Sequence, residues 1–187
     1  MKHCCKVNFQ PDLRYMNKAT LLLREYGKSS EDAGAVLKRY YIPTRQEALI
    51  RQALPVGLQD ANLAVSRTTI DLTNFENDLK PHVHTDEKCV LNYYMAVSGE
   101  ETSFWEGDIE QDDNLVIDNG NQYYMVKTDK LKKVEFFHAQ NGDAWLLNTQ
   151  VPHQIFCDSQ EKVRDFLQVY FMDLSIDEVR KHFEEEA

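Results

Sequence analysis

From about residue 61 to residue 172 the chain is a succession of short β-branched or aromatic runs, at 61–72, 82–97, 102–106, 115–126, 134–137, 144–147, 154–157 and 166–172. Turn clusters separate several of them: Ser98-Gly99-Glu100, Asp118-Asn119-Gly120-Asn121 and Asn141-Gly142-Asp143. Runs of this length are strands, and strands this numerous bury their apolar faces by packing sheet on sheet. A mainly β sandwich or barrel is therefore predicted for this stretch.

Residues 1–60 read differently. Ser29-Ser30-Glu31-Asp32 offers cap residues and acids, and 33–41 places Ala35, Val36, Leu37, Tyr40 and Tyr41 near helical spacing, ending at Pro43. Thr44-Arg45-Gln46-Glu47 has the form of a capping box, and an apolar-rich run follows until Pro55. The segment is predicted to be mostly helical and to support one face of the sandwich. A short acidic helix is predicted at the C-terminal end, over 175–187, after the β core of 61–174. No linker or repeat divides the 187 residues, so the whole is expected to form one domain.

Composition excludes more than it assigns. The formal net charge is −10, and an acidic surface repels phosphate, so a nucleic-acid partner is not expected. No apolar run reaches the roughly 18 residues a membrane span needs. The first residues, Met1 to Phe9, lack the apolar core of a signal peptide, so a cytoplasmic location is expected. The four cysteines, Cys4, Cys5, Cys89 and Cys157, form no metal-binding or disulfide spacing and are read as reduced thiols. Dinucleotide, phosphate-loop and serine-hydrolase motifs are absent.

The segment carrying chemistry is Pro81-His82-Val83-His84-Thr85-Asp86. Alternation along a strand puts His82, His84 and Asp86 on one face. Three such side chains are costly on a dry face and natural in a cavity that holds a divalent metal. Taken alone, the His-x-Asp pair reads first as a surface hydrogen-bonded pair at a strand end. His153 in Val151-Pro152-His153-Gln154 and Arg164 at the start of a later strand extend the pattern.

A His-x-Asp pair, a distant His and an Arg shortly beyond it resemble the 2-oxoglutarate/Fe(II)-dependent dioxygenases, in particular prolyl-hydroxylase-like, phage and marine-bacterial members. The resemblance covers roughly residues 60–174, including Cys89 to Met95, Thr102-Ser103-Phe104-Trp105 and the Gly142-Asp143-Ala144 turn. It implies a double-stranded β-helix (jelly roll). It implies His84, Asp86 and His153 as ligands of Fe(II), with Arg164 on the remote carboxylate of 2-oxoglutarate. Such an enzyme uses O₂ to hydroxylate a small-molecule or peptide substrate while 2-oxoglutarate becomes succinate and CO₂. A guanidinium suits a carboxylate because it can donate two parallel hydrogen bonds. The serine that often follows this Arg is missing from Arg164-Asp165-Phe166, and Tyr94 or Asn92 is read as its substitute.

Two alternatives stay open. His82, His84 and Glu87 with His153 form a cupin-type ligand set, although the spacing before Glu87 is one residue short and the usual Pro-x-Gly is absent. A jelly-roll binding module without metal is the other. On the strand that begins at Arg164, Arg164, Phe166, Gln168 and Tyr170 are assigned to the site face, and Asp165, Leu167, Val169 and Phe171 to the face that packs against the helices. Trp105 and Trp145 are read as core or rim aromatics, His138 as partly buried, and His3 and His182 as solvated.

Overall fold

The structure, a computed structural model, describes residues 3–16, 23–28, 35–70, 79–109, 111–118, 121–127, 129–156 and 162–185. Thirteen strands and two helices follow in the order β1 (Cys4–Lys6), β2 (Leu23–Lys28), β3 (Ala35–Tyr40), α1 (Thr44–Ala53), β4 (Asn62–Ile70), β5 (Leu79–His84), β6 (Cys89–Ala96), β7 (Glu101–Gly107), β8 (Gln111–Asp118), β9 (Asn121–Val126), β10 (Leu131–His138), β11 (Ala144–Asn148), β12 (His153–Phe156), β13 (Lys162–Phe171) and α2 (Ile176–Glu185).

They build two antiparallel sheets. One is ordered β1-β11-β6-β13-β4-β3-β2 and the other β10-β7-β12-β5-β9-β8. Eight strands make the shared body. The chain passes from β4 in the first sheet to β5 in the second, to β6 and to β7. It then runs from β10 through β11 and β12 to β13, again changing sheet at each step. Each sheet thus interleaves strands of the two halves, β11-β6-β13-β4 facing β10-β7-β12-β5. That order is a double-stranded β-helix, as expected. The β8–β9 hairpin extends the second sheet beside β5, and β3 and β2 extend the first beside β4.

The N-terminal region departs from its helical reading. Among the described residues below 60 there are three strands, one α-helix and a 3-10 turn at Val56–Leu58. Within the run at 33–41, Ala35–Tyr40 forms β3, which lies between β4 and β2, with Val36 opposite Thr69 and Leu37 opposite Thr68. Val36, Tyr40 and Tyr41 are good strand formers, and the open edge of β4 decides between the two periods. The cap residues 29–32 lie outside the described residues. Helix α1 forms where expected, but Thr44 is its first residue and Pro43 its cap, with no side-chain cap bond. Glu47 instead pairs with Arg51 one turn on, at 2.7 Å. The reciprocal box occurs at α2, where Glu178 N–H bonds Ser175 Oγ at 3.4 Å and Ser175 N–H bonds Glu178 Oε2 at 2.8 Å.

Strand β13 separates the two cores. Leu167, Val169 and Phe171 turn outward and pack with Ile50, Leu54 and Leu58 and with Ile176 and Val179 of α2. Phe166 and Tyr170 turn inward and pack with Val90, Tyr94, Phe104 and Phe137 between the sheets. The helices thus brace the outer face of the first sheet, as the alternation along β13 predicts. The inner face is left to line the space between the sheets. Cys4, Cys5 and Cys89 are buried, and burial raises the Cys89 thiol far above its ordinary value. Cys157 lies outside the described residues.

Candidate metal centre

Three imidazoles converge at one end of the β-helix. His82 lies opposite His153 across the β5–β12 pair, and His153 lies opposite Phe104 of β7. His84, two residues beyond His82, is on the same face of β5. The ligand-capable nitrogens of His82, His84 and His153 all lie within 4.8 Å of one another. Ring centroids are 4.4 Å apart for His82 and His153, and 5.1 Å for His84 with each of the others. His82 and His153 are buried and His84 is nearly so.

The surroundings fix the tautomer of His153. His153 Nδ1 is 3.0 Å from the Val151 carbonyl, which can only accept, so Nδ1 carries the proton. His84 Nδ1 is 2.6 Å from Glu87 Oε1. Burial opposes charge on Glu87, but the adjacent His84 outweighs it and holds the carboxyl below its usual value. The His153 Nε2 therefore keeps its lone pair for a ligand, and Glu87 stands at ion-pair distance from the His84 ring. This carboxylate–histidine and carbonyl–histidine support is the arrangement that orients metal-bound imidazoles. Burial, then the neighbouring His84, lowers the pKa of His153 to about 3. It is therefore neutral at physiological pH, as a metal ligand must be. The donor set fits a borderline divalent ion such as iron, zinc, manganese or nickel.

Asp86 is placed differently from its expected role. Strand β5 ends at His84, so the two-residue alternation stops there. The Asp86 carboxylate accepts from Thr85 Oγ1 at 2.8 Å and is part-exposed, outside the histidine group. The turn carries the next acid, Glu87, inward to 2% exposure beside His84. The cupin-type set named from the sequence matches this gathering more closely than the His-x-Asp set.

Arg164, Tyr94 and Asn92 line the interior beyond the histidines. Arg164 is 5% exposed, with its guanidinium carbon 4.5 Å from the Phe166 ring centroid and 5.4 Å from that of Tyr94. Its Nε and Nη1 atoms are buried with no hydrogen-bond partner, as is the Tyr94 hydroxyl. Burial raises the Tyr94 pKa, so the phenol stays protonated. Asn92 Oδ1 accepts from Gln168 Nε2 at 3.3 Å, while Gln168 Oε1 accepts from Ser66 Oγ at 2.9 Å and from the Tyr170 hydroxyl at 2.6 Å. The first sheet therefore turns a polar, largely donor-bearing surface toward the interior.

The sequence reading missed two groups. Glu100, 4% exposed, places Oε1 3.9 Å from Arg164 Nε. The tight turn before it, with Gly99 at φ 85°, was its only signal. His3 is buried rather than solvated. Its Nε2 is 2.8 Å from Glu106 Oε1, and its ring stacks on Phe104, itself 6.2 Å from His153. Nothing local in the N-terminal segment reveals that contact. His138 is exposed, not partly buried.

Strand order and site together define a double-stranded β-helix with a histidine group that can hold a metal ion. No protein-family model matches the chain, and no curated protein matches it. Solved structures to which it is similar include E. coli ycfD, at 13% identity and TM-score 0.44 over 85% of this chain and 40% of that one. Vicilin of hazelnut, Corylus avellana, aligns at 11% identity and TM-score 0.39, over 78% of this chain and 32% of that one. An oxalate decarboxylase mutant of Bacillus subtilis aligns at 14% identity and TM-score 0.37, over 81% and 29%. The chain spans less than half the length of each. Among the described residues no helix is long and apolar enough to cross a membrane.

Proposed function

We propose that this chain is a metal-dependent oxygenase that uses 2-oxoglutarate as cosubstrate. The observation that carries the reading is the pairing of a preoriented imidazole cluster with a buried guanidinium whose donors are unsatisfied. His82, His84 and His153 hold the ion, Fe(II) in this reading, and Glu87 orients His84. Asp86 remains a rival for the acidic position, two residues past the end of the ligand pair. An iron ion held there would supply O₂ activation, coupling oxidation of 2-oxoglutarate to succinate and CO₂ with hydroxylation of a substrate C–H bond.

The chain's own residues do the rest. Arg164 binds the remote carboxylate, using donors that cost about 1–3 kcal/mol each while buried and unpaired. The Tyr94 hydroxyl donates to the same group. Phe104 and Phe166 exclude water, and the Val151 carbonyl holds the proton on His153 Nδ1. The substrate is a small molecule or a peptide. The setting is cytoplasmic, with no nucleic acid or membrane involved.

Anaerobic protein with Fe(II) is expected to develop the visible charge-transfer band of chelated 2-oxoglutarate. Arg164→Ala should weaken 2-oxoglutarate binding by roughly 10- to 150-fold, the loss of one charge-assisted hydrogen bond at about 1.5–3 kcal/mol. Unchanged binding would remove Arg164 from the reading. A second reading, a cupin-type metal enzyme without 2-oxoglutarate, is favoured by the inward Glu87 and the third imidazole. It predicts a metal-loaded protein that forms no such band. Glu87→Ala and Asp86→Ala, compared for iron content, decide which acid supports the ion.

A further inference from the structure

Arg164 shares its burial with a carboxylate. Glu100 sits in the turn between β6 and β7, with Oε2 accepting from Ser98 N–H at 2.9 Å and Oε1 facing Arg164 Nε at 3.9 Å, too far for a hydrogen bond. Glu100 Oε1, Arg164 Nε and Nη1, and the Tyr94 hydroxyl are all buried without hydrogen-bond partners. Four unsatisfied polar atoms on side chains at most 5% exposed mark a place built for a ligand group between them. The ionised pair has no net charge, so a carboxylate entering between its members meets attraction from Arg164 and repulsion from Glu100. Two carboxylates that share one site disfavour each other's ionised form.

We propose that Glu100 makes binding of the dicarboxylate cosubstrate proton-coupled. One proton from solvent adds to Glu100 Oε1 as 2-oxoglutarate enters. The resulting carboxylic acid donates a hydrogen bond to the remote carboxylate, which Arg164 and Tyr94 also contact. Glu100 is a positioning and specificity residue here, and the inference rests on the 2-oxoglutarate reading above. The titratable and charged groups facing Glu100 are Arg164 from β13 and Tyr94 from β6. Of the titratable groups of β10, Lys133 and His138 are instead engaged with Glu101, at 3.0 and 4.0 Å, Glu135 accepts from the His3 N–H at 3.0 Å, and Lys132 is exposed.

The test is calorimetric titration of the anaerobic, Fe(II)-loaded full chain with 2-oxoglutarate, between about pH 6.5 and 8.5, in buffers of different ionisation enthalpy. Uptake of close to one proton per 2-oxoglutarate is expected, with affinity falling about tenfold per pH unit toward the alkaline end. Oxalate, which has a chelating end but no remote carboxylate, should bind without that uptake. Glu100→Gln should abolish the uptake and flatten the pH profile while keeping affinity at the low-pH wild-type level. Binding of 2-oxoglutarate by the wild type without proton uptake, or uptake persisting in Glu100→Gln, overturns the role of Glu100 alone. Absence of 2-oxoglutarate binding at every pH overturns this inference together with the cosubstrate reading.

Discussion

His153 holds three constraints at once: it is buried, it faces two other imidazoles, and its Nδ1 proton is committed to the Val151 carbonyl. Its pKa in the folded protein is about 3, below the unfolded value of about 6.5. Below pH 6.5 the unfolded chain therefore takes up a proton that the native state refuses, and stability falls as the pH drops toward 3. Glu87 adds in the same direction at lower pH, because its folded pKa is depressed. Thermal melts of the metal-free protein should drop steadily from pH 6.5 to 4, with a shallower slope in His153→Gln. An equal slope in the variant would mean that other groups carry the acid sensitivity. Glu87→Gln should weaken metal affinity about 10- to 100-fold, as removal of an orienting partner does elsewhere. Equilibrium dialysis against a competing chelator measures it.

Strand β13 shows what an element contributes. Its two faces belong to different cores, so substitutions on them should separate. Leu167, fully buried on the outer face, should lose about 2–5 kcal/mol of stability on change to Ala, with metal affinity unchanged. Denaturant unfolding and metal titration of the same variant check both halves, and a loss of metal affinity would show that the faces are coupled. Helix α1 works on the chain before it. Its fully buried Gln46 accepts from Tyr15 N–H at 2.9 Å and donates to the Asp12 carbonyl at 2.5 Å. Gln46→Leu strips partners from two backbone groups, each costing about 1–3 kcal/mol if it stays dry. Faster hydrogen exchange over residues 12–16 is the expected signature.

For the molecule as a whole, the metal should behave as part of the fold. The three histidines come from β5 and β12, strands far apart in sequence but adjacent in the second sheet, and the unfolded chain does not preform the site. A divalent ion in hundredfold excess over its dissociation constant should add about 2.7 kcal/mol of stability. Chelation should remove that gain, and the His82→Ala, His84→Ala and His153→Ala variants should not show it. A melt indifferent to divalent ions would count against any resident metal. The net charge of −10 is a property at this scale too. It says little about the interior, where Arg164 stands among neutral aromatics and one carboxylate.

Much was legible without coordinates because it depends on short-range pattern. The strand-rich stretch from β4 to β13 and the inward and outward faces of β13 follow from alternation and turn residues, whereas His84 and His153 as members of one site came from resemblance. The jelly-roll fold came from resemblance, and the observed strand order bears it out. What tertiary structure decided is where a local pattern stops. Alternation placed Asp86 beside His84, but β5 ends at His84 and the turn brings Glu87 inward instead. Helical spacing at 33–41 gave way to strand β3, because pairing along the open edge of β4 satisfies backbone groups that a local reading cannot count. His3 and Glu100 were invisible for the same reason. Each gains its meaning from a partner more than sixty positions away, Glu106 and Arg164, and no window of neighbouring residues contains both members of either pair.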